Sequence, residues 1–78
     1  MAENERVRRE LIAAINQSLD RRGWTQVEAA EYLGVSQPRI SGVRNGRFRN
    51  FRVDSLLAMA TKLGITVDVI LEPTDEQV

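Results

Sequence analysis

The chain has 78 residues, with 11 lysines and arginines against 11 aspartates and glutamates, so its formal net charge is zero. This length fits one small domain, and the lack of cysteine and histidine excludes disulfides, thiol chemistry and histidine acid–base catalysis. Because no apolar run approaches the ~20 residues that span a bilayer and residues 1–10 are charged, we expect a cytoplasmic protein without membrane contact.

The first predicted element is a helix over residues 4–22. Its apolar residues recur at spacings of three and four, which predicts a single apolar stripe of Val7, Leu11, Ala14, Ile15 and Leu19. Gly23 is expected to end the helix in the left-handed conformation, and Trp24 to fill the corner that follows. This helix is predicted to be scaffold.

Residues 25–46 are predicted to form two short helices joined by a tight turn. Thr25 and Glu28 have the spacing of a capping box, which starts the first helix, and Gly34 ends it. Ser36 is a good N-cap for the second helix. The inward positions of this unit are predicted to be Val27, Ala30, Leu33, Val35, Ile40 and Val43, and Ala29 is small enough for close helix approach.

Residues 47–52 form a basic loop with two phenylalanines, and residues 53–63 predict a fourth helix that Gly64 ends. The apolar stripe of this helix consists of Val53, Leu56, Leu57, Ala60 and Leu63. Arg52 stands at its N-cap, where a serine would be the better cap.

Residues 65–71 are rich in β-branched side chains, and their side chains alternate between two faces, which predicts a strand. Residues 72–78 are predicted to form an acidic flexible tail. No second strand of similar strength exists in the chain, so we expect this one to pair with its copy in a homodimer. The predicted dimer interface comprises Ile65, Val67, Asp68, Val69 and Leu71. The alternative is that the segment packs back on the helices.

The arginines concentrate in one part of the sequence. Arg39, Arg44, Arg47, Arg49 and Arg52 have no acid among them, whereas Asp68, Glu72, Asp75 and Glu76 gather near the other end. A solvated charged surface would predict interleaved acids, so this distribution favours a basic face that contacts phosphate despite the zero net charge.

The motif resembles the helix-turn-helix of Xre-type regulators, relatives of the phage repressors and Cro. The matching positions are Gln26, Ala30, Gly34-Val35-Ser36, Ile40-Ser41, Val43 and Gly46. The resemblance covers about residues 8–64 and implies a mainly α fold. We therefore expect a four-helix, lambda-repressor-like DNA-binding domain over residues 4–64, followed by a C-terminal β-strand over residues 65–71 that pairs across a homodimer.

In that family the second motif helix, here about residues 37–45, enters the major groove of double-stranded DNA. The resemblance assigns base contacts to Gln37, Pro38, Arg39, Ser41 and Gly42, although Gly42 stands where a longer polar side chain is often found. It assigns phosphate contacts to Gln26 and Asn45. We expect four neighbouring residues to add further phosphate contacts: Thr25 through the helix N-terminus, and Arg44, Arg47 and Arg49 through their charge.

The run FRVDSLLAMATKLGITVDVIL, with a strand in place of a fifth helix, is similar to HigA-type antitoxins, which repress their own toxin–antitoxin operon and neutralise a RelE-like ribonuclease. We therefore expect a dimeric repressor that binds a two-fold symmetric operator and acts as an antitoxin. The alternative is a protein-interaction module that neutralises a RelE-like toxin or another partner, with DNA binding incidental. We find no catalytic constellation, and expect no metal or cofactor.

Overall fold

The computed structural model describes residues 2–66, with side chains from residue 5 onward. Four α-helices and one short 3-10 turn make up this part of the chain. In order they are α1 (Ala2–Arg22), α2 (Gln26–Leu33), α3 (Gln37–Arg44), the 3-10 turn (Phe48–Asn50) and α4 (Val53–Lys62). The predicted mainly helical, four-helix fold is confirmed. None of these helices is long and apolar enough to cross a bilayer.

The long helix α1 is the element against which α3, the 3-10 turn and α4 all pack. Its apolar stripe is buried as predicted at Leu11, Ile15 and Leu19. The buried face is wider than predicted, because it also includes Ile12 and Ser18. A stripe of this width lets one helix contact neighbours on two sides.

The capping box at the start of α2 is confirmed. The Thr25 hydroxyl accepts a hydrogen bond from the Glu28 amide at 3.1 Å, and the Glu28 carboxylate accepts one from the Thr25 amide at 2.9 Å. The prediction that Val27 faces inward was wrong, because Val27 is 47% exposed and Ala29 is 2% exposed. The buried side of α2 therefore consists of Ala29, Ala30 and Leu33.

The turn between α2 and α3 forms as predicted. Gly34 has a φ of +71° and caps α2 in the left-handed conformation, which glycine adopts without steric cost. Ser36 then caps α3, since its hydroxyl accepts a hydrogen bond from the Arg39 amide at 3.3 Å. Ile40 and Val43 are buried, which confirms the inward face of α3.

The chain after α4 is described only as far as Thr66. Leu63 closes α4, Gly64 has a φ of +77°, and the Ile65 amide donates to the Ala60 carbonyl at 2.9 Å. Ile65 and Thr66 do not form a strand in the structure. The remainder of the predicted strand, residues 67–71, and the predicted tail, residues 72–78, lie outside the described residues.

The corrected orientation of α2 leads to a stability test. We expect Leu33→Ala to lower the free energy of unfolding by about 2–5 kcal/mol, because Leu33 is buried and truncation leaves a cavity. Val27→Ala on the same helix is the control, and we expect it to change stability by about 0.5 kcal/mol or less. Urea denaturation measures both. Similar losses for the two variants would contradict the observed orientation of α2.

Candidate nucleic-acid interface

Helix α3 turns one face to the core and the opposite face to solvent. Successive residues of an α-helix are about 100° apart, so the burial of Ile40 and Val43 directs the other side of α3 outward. Gln37, Pro38, Arg44 and Asn45 are exposed, and Arg39, Ser41 and Gly42 are half-buried. All five predicted base-contact residues therefore retain exposed surface on α3.

Two polar side chains on this face are bonded to each other. The Asn45 carboxamide donates to the Ser41 carbonyl at 2.8 Å and to the Ser41 hydroxyl oxygen at 3.3 Å. These bonds orient the Asn45 amide along the last turn of α3. Because Ser41 accepts in this pair, its hydroxyl proton remains available for donation to a ligand.

Arg39 and Gly42 lie beside Phe51, which follows the 3-10 turn. The Arg39 guanidinium carbon lies 4.8 Å from the centre of the Phe51 ring. A Cβ atom placed on Gly42 would lie 3.2 Å from two carbons of the same ring. The structure thus gives Gly42 a packing role that the sequence did not indicate, and a base contact at Gly42 stays a prediction.

Arg44 is held by α1. One terminal nitrogen donates to the Asn16 backbone carbonyl at 3.2 Å and to the Asn16 side-chain oxygen at 3.0 Å, while the other pairs with Asp20. Asn16 also donates to the Val43 carbonyl at 2.8 Å. Arg44 therefore braces α3 against α1, and its predicted phosphate contact would have to coexist with this bracing or replace it.

Sequence reasoning missed Asn16 and Asp20 as residues that support the candidate site. They lie four positions apart on α1, so they fall on one side of that helix and border its apolar stripe. Two polar residues at this spacing next to a buried stripe were the available signal. Nothing in the sequence identified the end of α3 as their partner.

The arginines of the loop after α3 differ in their surroundings. The Arg49 guanidinium lies over Phe48 at 4.9 Å and pairs with Glu5 at 3.2 Å, and Arg9 also lies over Phe48 at 4.6 Å. Arg47 is exposed, with no side-chain hydrogen bond or ion pair to residues 5–66. Thus α1 supplies an acid near a loop that has none in its own sequence.

The start of α2 holds the other two predicted phosphate ligands, Thr25 and Gln26, and both are exposed. The capping box already uses the Thr25 amide and hydroxyl oxygen. The amides of Gln26 and Val27 are the first-turn donors left by this arrangement. The Glu28 carboxylate lies at the same terminus and opposes the approach of a phosphate, so Gln26 is the better placed of the two.

Comparisons with known proteins agree with this geometry. A family model described as a helix-turn-helix domain matches residues 1–72. A solved structure of a protein described as a candidate XRE family transcriptional regulator has a TM-score of 0.80 to this chain, at 33% sequence identity. The match covers 86% of this chain and 75% of that one. No curated protein matches the sequence.

The contacts of Arg44 predict a difference between two arginines of the candidate site. We expect Arg44→Ala to lower the free energy of unfolding by about 0.5–1.5 kcal/mol, because it removes the hydrogen bonds to Asn16. Arg47→Ala, which removes the same charge from an exposed position, should leave stability within about 0.5 kcal/mol of the parent. Thermal and urea unfolding measure both values. Equal losses in the two variants would contradict a bracing role for Arg44.

Proposed function

Because the chain belongs to the XRE-type helix-turn-helix family, we propose that it is a sequence-specific transcriptional repressor that inserts α3 into the major groove of operator DNA. The observation that carries this proposal is the distribution of buried and exposed side chains around α3. One side is fixed to the core by Ile40 and Val43, and the opposite side is exposed at Pro38 and Asn45 and half-buried at Ser41 and Gly42. Residues 32–53, which include α3 and the loop after it, contain five arginines and no acid.

The proposed base contacts are unequal in chemistry. Gln37 is exposed in the first turn of α3, where its amide suits a bidentate contact to adenine. Arg39 suits guanine, and Pro38 offers only apolar contact, such as a thymine methyl. Ser41 has a hydroxyl proton to donate. Gly42 has no side chain and can present only its backbone to a base.

The proposed phosphate contacts come from the segments before and after α3. Gln26 and the α2 amides precede α3, and Asn45, Arg47 and Arg49 lie at its C-terminal end and in the loop that follows. The Arg47 side chain has no hydrogen bond or ion pair within residues 5–66 that DNA binding would have to break. It should therefore contribute most directly to phosphate binding. Arg49 must exchange Glu5 for a phosphate, which costs little because exposed ion pairs contribute ~0–1 kcal/mol.

A homodimer is the second part of the proposal. One α3 offers too few contacts for tight and specific binding, whereas a dimer reads two half-sites about 34 Å apart. We propose that residues 4–64 form the DNA-binding domain, and that residues 65–71 pair with the same segment of a second copy. What supports this is the alternating β-branched sequence of that segment and the end of α4 at Lys62.

The antitoxin role is the third part, and it rests on the resemblance of residues 51–71 to HigA-type proteins. In this proposal the chain represses its own operon and neutralises a RelE-like toxin. The alternative is a protein-interaction module for which DNA binding is incidental. One observation favours it: Val27 is 47% exposed and lines an open groove of about 420 Å³ with Val35 and Gln37.

Single exposed apolar residues are common on monomeric proteins, so Val27 carries less weight than the five arginines of residues 32–53, a stretch that contains no acid in its own sequence. The neighbouring open reading frame would decide the antitoxin question. A small basic RelE-like protein that copurifies with this chain would support the role. Its absence would leave a repressor without a toxin partner.

The DNA-binding proposal predicts two different losses. With DNA from upstream of its own gene, Gln37→Ala should weaken specific binding by about 1–3 kcal/mol and leave binding to unrelated DNA unchanged. Arg47→Ala should weaken binding to both DNAs and reduce the salt dependence by about one released counterion. Fluorescence anisotropy across a salt series measures both effects.

The control for these measurements is Val27→Ala, which changes an exposed side chain of α2 that is not among the proposed DNA contacts and keeps the backbone amide. Specific binding by the parent that survives Gln37→Ala and Arg39→Ala, in variants that fold, would refute the assignment of α3 as the recognition helix. Retention of toxin binding in those variants, with no specific DNA binding by the parent, would favour the interaction module.

The dimer proposal makes a separate prediction. Sedimentation equilibrium should give a dimer at micromolar concentration, and Val67→Pro should give a monomer with weaker operator binding, because proline removes a donor that a paired strand needs. Val67→Thr keeps the amide and the β-branched shape, so it should remain dimeric. A monomeric parent would contradict the strand-paired dimer.

A further inference from the structure

Arg39 differs from Arg44 and Arg49, its neighbours on α3 and the following loop, in how it is held. Its guanidinium carbon lies 4.8 Å from the centre of the Phe51 ring, which is within the range of a cation–π contact. Its side chain makes no hydrogen bond or ion pair within residues 5–66. Arg44 and Arg49, by contrast, use their terminal nitrogens on α1. The Arg39 guanidinium therefore contacts an aromatic ring, while its N–H groups have no hydrogen-bond partner within residues 5–66.

Phe51 is itself firmly placed. Its side chain is 5% exposed and belongs to the hydrophobic core. Its backbone amide donates to the Phe48 carbonyl at 3.2 Å, which closes the 3-10 turn. The ring is thus a fixed surface beside α3, and a guanidinium resting on it loses much of the rotational freedom that an exposed arginine has.

Gly42 makes this position of the ring possible. Arg39 and Gly42 are three residues apart, so they lie on the same edge of α3. The site of a Gly42 Cβ is 3.2 Å from ring atoms Cε2 and Cζ, which is closer than ordinary van der Waals contact. Since the ring is buried, an added methyl group would shift it, and the surface under Arg39 would move.

We propose that Phe51 is a positioning residue for Arg39: it fixes the plane of the guanidinium before DNA binds, so that the free N–H pair can bond O6 and N7 of a guanine in the operator. Gly42 is the residue that admits the ring. This inference rests on the proposed DNA-binding function and deepens it, because it assigns a guanine to one position of each half-site.

Guanine is favoured over phosphate by the way Arg39 is held. A bidentate contact to a base edge requires the guanidinium to lie near the plane of the base, so a preset plane assists it. A phosphate accepts hydrogen bonds from many directions, and Arg47, which is exposed and has no ion pair within residues 5–66, can reach one without such help.

The first test is selection of randomised operator half-sites by the full chain, followed by affinity measurements on the best site and its single-base variants. Arg39→Lys should lose guanine preference at one base-pair position by about fivefold or more, because lysine lacks the bidentate pair. Phe51→Leu and Gly42→Ala should each reduce preference at that same position by about two- to fivefold. In an Arg39→Lys background, Phe51→Leu should have no further effect on that preference.

The matched comparison is the preference at the position read by Gln37, which should not change in any of these variants. A loss of the same size at every position would show that Phe51 acts on stability alone and would overturn the proposal. Weaker binding after Arg39→Lys without a change of preference would mean that Arg39 contacts phosphate, which also overturns it.

The second test needs no substitution and covers the case in which Phe51→Leu fails to fold. Nitrogen-15 relaxation of arginine Nε groups in the DNA-free chain should show Arg39 ordered and Arg47 mobile, and the Arg39 Nε proton should carry an upfield ring-current shift. Equal mobility of the two arginines would overturn the proposal. If the parent selects no DNA sequence at all, the proposed DNA-binding function is wrong. This outcome is distinct from a failure of the Phe51 proposal, in which the parent selects a sequence but Phe51→Leu does not change guanine preference.

Discussion

Val43 has no exposed surface, and its backbone carbonyl accepts a hydrogen bond from Asn16 of α1, so an apolar and a polar interaction meet at one residue of α3. An eight-residue helix is not stable alone in water, because its nucleation cost exceeds what a few hydrogen bonds return. The order of α3 therefore comes from its docking on α1. The exposed face keeps its direction only as long as that docking holds.

The arginines near α3 fall into different physical roles, although their sequence context is similar. Arg44 is joined to α1 through Asn16 and Asp20, and its role is to hold the helix. Arg49 shares an exposed ion pair that salt weakens and that a phosphate can replace. Arg47 has neither restraint within the described chain. The zero net charge of the sequence does not show these differences, because the availability of each arginine for a phosphate depends on its own neighbours.

Local sequence signals predicted the helices well, because each depends on residues close together in the chain. The pairing of Thr25 with Glu28 and the position of Gly34 define the two ends of α2 without any tertiary contact. The inward side of α2 was mispredicted at Val27 because apolar character alone does not say which neighbour a helix meets. The roles of Asn16 and Gly42 depend on residues 27 and 9 positions away, and no local pattern shows them.

The same constraints explain why the proposed readout needs two copies of the chain. Pro38 has no side-chain donor or acceptor, and the space beside Gly42 that a side chain would enter is occupied by Phe51. In the proposed complex, Gln37 and Arg39 therefore supply most of the bidentate base contacts of one α3. Each such contact discriminates against a wrong base by about 1–3 kcal/mol, which is too little for one half-site to stand out among the competing sites of a genome. Two half-sites at a fixed separation would double that discrimination, so in the proposed dimer the segment that joins the two copies would also set which DNA is recognised.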